Sequence, residues 1–203
     1  MHRASDDSDK LESYRAKRDF GKSSEPEGVG EASDRGATFV VQKHDASSLH
    51  YDFRLEVDGV LKSWAVPKGP STDPREKRLA IRTEDHPLGY ADFEGVIPEG
   101  EYGAGTVLIW DRGTYRNITE KEDGLRAMED ALADGHVLVW LEGEKISGGY
   151  ALQRIDDKKD QWLLIKMNDA EADARRNPVS TEPRSVASGR DLDEISGEEA
   201  NER

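Results

Sequence analysis

The sequence predicts a mainly β protein: a small closed antiparallel β-barrel with one or two short helices and a disordered acidic C-terminal tail. Three observations carry this. Residues 49–57 alternate, with Leu49, Tyr51, Phe53, Leu55 and Val57 on one face, and the turn pair Asp58 and Gly59 then leads into a second apolar run over residues 60–66. About seven such short runs fall within residues 37–168 without the intervening helices that a βαβ layout requires. Residues 169–203 hold 10 acidic and 5 basic side chains and no aromatic residue. Their large aliphatics are only Val179, Val186, Leu192 and Ile195, too few to offset the entropy of ordering.

Taken in order, residues 1–36 read as an N-terminal arm, mostly extended, with residues 11–20 able to form a short helix. Residues 37–168 form the barrel domain and residues 169–203 the tail. Residues 38–42 open the barrel and residues 49–57 and 60–66 form its first clear hairpin. Further strands are expected at 79–83, 106–110, 136–141, 149–155 and 161–167. One helix is expected over 121–133, where Leu125, Met128 and Leu132 recur at helical spacing and Gly135 is a natural stop. No internal repeat of solenoid period is present.

Composition excludes several classes. There is no cysteine, so disulfides, zinc–thiolate sites, iron–sulfur clusters and thiol catalysis are ruled out. No run approaches the ~18 apolar residues of a membrane span, and the polar first ten residues lack a secretory core. A cytoplasmic location and a monomer are expected. The net charge of -14 argues against gripping DNA by bulk electrostatics. That charge is uneven, because residues 43–86 hold 8 bases and 8 acids.

The chemistry concentrates on one strand. The alternation that groups the apolar residues puts His50, Asp52, Arg54 and Glu56 on the other face. His44 lies six residues before His50 and can fold back across residues 45–48. Two histidines and an aspartate suit a divalent transition metal with coordination positions left open, and an adjacent Arg54 suits a phosphate or carboxylate. The competing reading is a solvated polar face. A second cluster spans 77–90 (KRLAIRTEDHPLGY), where His86 precedes Pro87 and reads as a loop histidine near Tyr90. Lys68 alone reads as a surface lysine in a rigid turn. The Gly-rich segment 95–105 lacks a P-loop ending and reads as a tight loop. His2 and His136 read as incidental.

Four separated motifs, in order, resemble the phosphoesterase domain of bacterial DNA ligase D: FVVQKHDASSLHYDFRLE at 39–56, WAVPKGP at 64–70, TEDHP at 83–87 and EGVIPEGEYGAGT at 94–106. The arm segment YRAKRDF at 14–20, followed by Glu25 and Pro26, resembles that family's N-terminal segment, and the similarity spans about residues 11–168. The resemblance implies a small β-barrel and a stand-alone, manganese-dependent enzyme of DNA or RNA 3′-end healing, with Co2+ or Zn2+ as other options. Such an enzyme removes a 3′-terminal ribonucleoside from a primer strand and hydrolyses the resulting 3′-phosphate to a hydroxyl. The implied metal ligands are His44, His50 and Asp52. Arg54, His86 and Tyr90 take phosphate-binding and catalytic roles, Lys68 and Arg78 help hold the phosphate, and Gln42 is a further active-site polar residue. In the arm, Arg18, Asp19 and Glu25 match residues needed for the ribonucleoside step. The implied partners are the 3′ end of a primer strand and separate ligase, polymerase or end-binding repair proteins, with no membrane.

Two other readings stand beside this one. A non-catalytic barrel could bind nucleic acid or a repair protein, but it has no need of the His44, His50 and Asp52 set. An Fe(II) oxygenase would use His50, Asp52 and a distal His136, leaving His44 and His86 without roles. The Lys-x-Asp-Gly motif of nucleotidyltransferases is not formed at Asp58 and Gly59, which Glu56 and Val57 precede.

Overall fold

The computed structural model describes residues 10–28 and 37–201. After a short helix α1 (Glu12–Ala16), the chain forms β1 (Thr38–Asp45), β2 (Leu49–Val57), β3 (Val60–Val66) and β4 (Lys77–Pro87). A 3-10 turn (Leu88–Asp92), β5 (Gly95–Ile97) and β6 (Gly105–Asn117) follow. Then come β7 (Glu120–Lys121), β8 (Gly124–Leu125), α2 (Met128–Asp134), β9 (His136–Gly143), β10 (Ser147–Asp156) and β11 (Gln161–Lys166). Two helices, α3 (Pro178–Thr181) and α4 (Leu192–Asn201), end the described chain. His2 lies outside the described residues.

Eight strands close an antiparallel barrel in the order β1-β2-β3-β4-β11-β10-β9-β6, with β6 returning to β1 and β5 added beyond β6. One side chain in two from these strands fills the interior, among them Phe39, Val41, Phe53, Leu55, Trp64, Ala80, Leu108, Trp110, Val139, Leu152 and Leu164. The β2–β3 turn is the one expected: Asp58 and Gly59 both have positive φ, 50° and 79°, which a two-residue hairpin turn requires.

A second apolar cluster lies outside the barrel. Leu11 and Tyr14 from the arm meet Leu61, Tyr90, Phe93 and Ile97. The polar face of β2 is therefore not solvated. It is roofed by the arm and the 3-10 turn, and Asp52 and Arg54 are buried beneath them.

The structure corrects three expectations. Residues 121–125 are not helical. They form the β7–β8 hairpin, because Gly124 adopts φ +108° and Arg126 and Asn117 bond across the loop. Leu125 is 65% exposed, while Met128 and Leu132 on the shortened α2 do pack against the core. Gly135 stops α2 in the left-handed conformation, as expected. Second, His86 is not on a loop. β4 runs on to Pro87, with His86 opposite Leu61 after a shift in register.

Third, the segment expected to be a disordered tail lies along the barrel through residue 201. The main-chain and indole donors of Val186 and Trp110 bond Ile109 O and Glu182 O respectively, each at 2.9 Å, and Lys145 Nζ donates to Glu182 O at 2.8 Å. Thr72 exchanges bonds with Asp173, and Glu199 accepts from Val96 N. Composition misleads here because main-chain groups and a few well-placed aliphatics do the anchoring. Ile195 is 1% exposed, and Val179 and Leu192 pack beside the same core.

Truncating this anchor has a measurable cost. Ile195→Ala should lower the unfolding free energy by about 2–5 kcal/mol, the usual range for deleting a buried isoleucine side chain. Urea denaturation checks this; a midpoint identical to wild type would mean that α4 is not packed on the barrel.

Candidate active site

Strand register builds the site. β1 and β2 pair so that His44 stands opposite His50 and Gln42 opposite Asp52. On the other side of β2, Ala65 is opposite Asp52 and Ser63 opposite Arg54. Directly paired residues share a sheet face, so Gln42, His44, His50, Asp52, Arg54 and Ser63 gather outside the barrel wall. The β3–β4 register shift adds His86 to the same face.

The two histidines are oriented by carbonyls. His44 Nε2 lies 2.7 Å from Gly103 O, and His50 Nδ1 lies 3.1 Å from Ser48 O. A carbonyl only accepts, so these nitrogens carry the protons, leaving His44 Nδ1 and His50 Nε2 as the free donor atoms. Both face Asp52 Oδ2, at 3.6 Å and 3.4 Å. The three ligand atoms lie within 4.8 Å of one another. Atoms held ~2.1 Å from a common centre stand ~3–3.5 Å apart, so the set fits a divalent metal. Carbonyl-fixed tautomers are also the usual support for histidine ligands. Two nitrogen lone pairs and a carboxylate oxygen repel one another unless a cation stands among them. In the metal-free protein a proton can take that place, and the pKa directions show the pull of the carboxylate on it. Burial would lower His50, yet Asp52 raises it by contact and by charge. Burial would raise Asp52, but Arg54 and the two rings hold it well below the usual carboxylate range.

Arg54 is 2% exposed. Its Nε donates to Gln42 Oε1 at 2.7 Å, Nη2 lies 3.4 Å from Asp52, and its plane sits 4.8 Å from the Tyr90 ring centre. Its Nη1 is buried and has no hydrogen-bond partner among the described residues. Gln42 spends both Nε2 hydrogens on Tyr90 O and Phe93 O, at 2.7 Å and 2.9 Å. Instead of offering a free donor to substrate, it sits one step behind Arg54 and fixes that side chain's direction.

The arm adds charge of both signs. Glu25 is fully buried and accepts from Arg18 Nε (3.0 Å), Ser23 Oγ (2.7 Å) and Tyr90 OH (2.9 Å). Arg18 also reaches Glu84 at 3.3 Å, stacks 3.9 Å over the Tyr14 ring, and points Nη2 at His86 Nε2 from 3.5 Å. The His86 Nδ1 proton goes to Glu84 O at 2.9 Å, and its ring packs edge-on to Tyr90. Burial, then the charges of Arg54 and Arg18, hold the His86 imidazole well below its ordinary value. Burial and then Glu25 push the Tyr90 hydroxyl well above its own.

The structure thus gathers His44, His50, Asp52, Arg54, Gln42, His86, Tyr90, Arg18 and Glu25. Asp19 is left out: its exposed carboxylate caps Gly21 N and pairs with Lys22. Lys68 and Arg78 stand apart as a pair, Arg78 Nη1 donating to Lys68 O at 3.1 Å, and Arg78 Nε is a further buried guanidinium nitrogen with no partner among the described residues. His136 is exposed at the start of β9 and is not among the metal-type group. Glu84, Ser23 and Tyr14 escaped sequence reasoning. Only Glu84, beside His86 in TEDHP, carried any signal.

A closed antiparallel β-barrel carries on its outer wall a His44, His50 and Asp52 group that could hold a metal, beside a buried arginine left one bond short. Residues 42–154 match the family model of the DNA ligase D 3′-phosphoesterase domain. The chain belongs to that family. The multifunctional non-homologous end joining protein LigD of Pseudomonas aeruginosa is 49% identical over 196 residues, covering 94% of this chain and 22% of the relative. The LigD proteins of Mycobacterium tuberculosis (51% over 160 residues, 78% of this chain and 20% of the relative) and Mycolicibacterium smegmatis (46% over 166, 79% and 21%) are also similar. The chain spans about a fifth of the length of these relatives. The Pseudomonas match covers too much of the chain to stop at residue 168, so the C-terminal segment has a counterpart there. No helix of the described residues is long and apolar enough to cross a membrane.

The buried neutral His86 makes stability sensitive to acid. The unfolded chain takes up a proton on this histidine near pH 6.5, and the folded protein resists it. The contribution is therefore complete above that pH and is lost as the pH falls below it, by up to ~1.4 kcal/mol per pH unit. Urea midpoints of wild type should fall more between pH 7 and pH 5 than those of His86→Gln. Parallel falls would show that His86 is not held neutral.

Proposed function

We propose that the protein is a metal-dependent 3′-end-healing phosphoesterase. It removes a 3′-terminal ribonucleoside from a primer strand to leave a 3′-phosphate, and then hydrolyses that phosphate to a 3′-hydroxyl. The observation that carries the reading is the unpartnered Arg54 Nη1 beside the converging His44 Nδ1, His50 Nε2 and Asp52 Oδ2. A buried guanidinium hydrogen without an acceptor is costly, and a phosphate oxygen is the acceptor that Arg fits best. The family membership points to the same chemistry.

His44, His50 and Asp52 would hold the metal, with Mn2+ as the proposed ion and Co2+ or Zn2+ as alternatives. When bound, it supplies Lewis-acid stabilisation of a phosphate oxygen. Arg54, aimed by Gln42, donates to a non-bridging oxygen and offsets the charge that grows there. Arg78 and Lys68 add positive charge further along the same strand of substrate. His86 enters neutral, with Nδ1–H fixed on Glu84 O, so Nε2 is the atom that can accept a proton or, once protonated beside a phosphate dianion, return it to the leaving oxygen. In the ribonucleoside step the proposed nucleophile is the 2′-hydroxyl of the ribose whose 3′-oxygen carries the scissile phosphate: it bonds to phosphorus as the terminal nucleoside's 5′-oxygen departs with a proton, and water then opens the 2′,3′-cyclic phosphate to the 3′-phosphate. Arg18, Glu25 and Tyr90 form the wall nearest His86 and are assigned to that step; Asp19 holds the turn that delivers Arg18 and Glu25. A separate ligase, polymerase or end-binding repair protein would complete the joining reaction, and the active unit is proposed to be a monomer in the cytoplasm.

An end-labelled primer with a 3′-ribonucleotide or a 3′-phosphate, incubated with a panel of metals, tests this. His50→Ala should abolish 3′-phosphate release while far-UV circular dichroism stays native, and Arg54→Ala should lower kcat about 10²- to 10³-fold. Wild-type protein that binds the primer with Mn2+ yet never releases phosphate would favour a non-catalytic binding module. Arg18→Ala should slow ribonucleoside removal far more than 3′-phosphate hydrolysis; equal losses would refute the assignment of the arm to the first step. A primer with 2′-deoxyribose at the penultimate position that loses its terminal nucleoside as fast as one with ribose there would exclude the 2′-hydroxyl as nucleophile.

A further inference from the structure

Of the fourteen Phe, Trp and Tyr side chains in the chain, thirteen are buried or half-buried in the barrel or in the segments packed on it. Tyr102 is the exception, at 48% exposed. An isolated exposed aromatic carries little information on its own; its location here does. It precedes Gly103, whose carbonyl orients the His44 ring at 2.7 Å. Its ring lies 4.9 Å from Lys17 Nζ and 5.3 Å from the Arg18 guanidinium, the same Arg18 that reaches His86.

The loop is held firmly. Gly100, Gly103 and Gly105 adopt positive φ, Glu101 and Ala104 close successive turns on Pro98 and Glu101, and Glu101 pairs with Lys22 of the arm at 3.5 Å. An aromatic ring with half its surface in water is therefore presented in a fixed place, against two cations of the arm and one residue from the carbonyl that orients His44.

We propose that Tyr102 is the stacking platform for the base of the 3′-terminal nucleoside, with Lys17 placed beside it for the adjoining phosphate. This rests on the 3′-end reading above and deepens it by naming what holds the nucleoside. Base–aromatic stacking tolerates every base because each has a π-face, and it is sequence-independent. A rigid ring on the loop that orients His44 supplies the orientation that a flexible end otherwise lacks, and the cations next to the ring suit the phosphate that follows a stacked base. The local mode of capture matches a chain whose net charge of -14 argues against broad electrostatic gripping of a strand.

The test compares two end-labelled primers, one ending in a ribonucleotide and one ending in the same ribose without a base. Tyr102→Ala should raise KM for the base-bearing end about tenfold with little change in kcat, the loss being confined to that end, and Tyr102→Trp should restore the wild-type KM. An equal loss on both ends would make Tyr102 a loop-packing residue and overturn the proposal, as would an unchanged KM. A second readout is independent of turnover. The indole fluorescence that Tyr102→Trp adds to the wild-type background should be quenched by the base-bearing primer and not by the abasic one. Absence of that difference overturns the stacking role. If wild-type protein turns over neither primer while the quench appears, it is the 3′-end reaction that fails and the platform that stands.

Discussion

The pairing of His44 with His50 and of Gln42 with Asp52 across β1 and β2 is the constraint on which the rest of the site depends. Side chains alternate strictly along a strand, so a slip of one residue would send His50, Asp52 and Arg54 into the barrel and Tyr51, Phe53 and Leu55 out of it. The register is enforced from the interior. Phe53, Leu55 and Val57 are buried against Phe39, Val41 and Trp64, and each such side chain is worth roughly 1.5–3 kcal/mol when fully buried. The apolar face thus does the positioning and the polar face receives it. The Asp58–Gly59 turn carries the same register into β3, and the irregularity between Leu61 and Ser63 brings His86 alongside.

Burying so much charge is tolerable because the signs alternate. Asp52 lies between the two histidines and Arg54, Glu25 receives Arg18 and two hydroxyls, and Glu84 receives Arg18 and Lys17. Removing any one member leaves a partner unpaired in a poorly solvated place, which costs more than the pair is worth. Arg54 Nη1 and Arg78 Nε stay outside this satisfied network. The arm is therefore part of the site's construction as well as its cover. Tyr14 and Leu11 dock it against Leu61 and Tyr90, and the docked arm brings Arg18 and Glu25 within reach of the β4 histidine.

Much of this was legible in the sequence, for identifiable reasons. Period-two alternation over residues 49–57 and the Asp58–Gly59 turn are local signals, so the central hairpin and the grouping of His50, Asp52 and Arg54 could be read directly. His44 followed from its spacing. The burial of that same face could not be read, because its cover comes from residues 11–26 and 88–93, joined to it only in space. Glu84, Ser23 and Tyr14 work through contacts distant in sequence and had no periodic signature. The helix expected at 121–133 failed at Gly124, where a positive φ breaks a pattern that spacing alone endorses. The acidic C-terminal segment failed for the opposite reason: its composition is that of a disordered chain, but Trp110, Lys145 and Thr72 give its carbonyls partners, and Ile195 reaches the core.

The β1–β2 register brings two imidazoles of fixed tautomer and Asp52 close enough to hold one divalent metal. Pulsed electron paramagnetic resonance of the Mn2+-loaded protein tests it most directly. Nitrogen couplings from two histidines are predicted in the wild type, one of them lost in His44→Gln and the other in His50→Gln. A spectrum of Mn2+ with no nitrogen coupling, or couplings that survive both substitutions, would contradict the account.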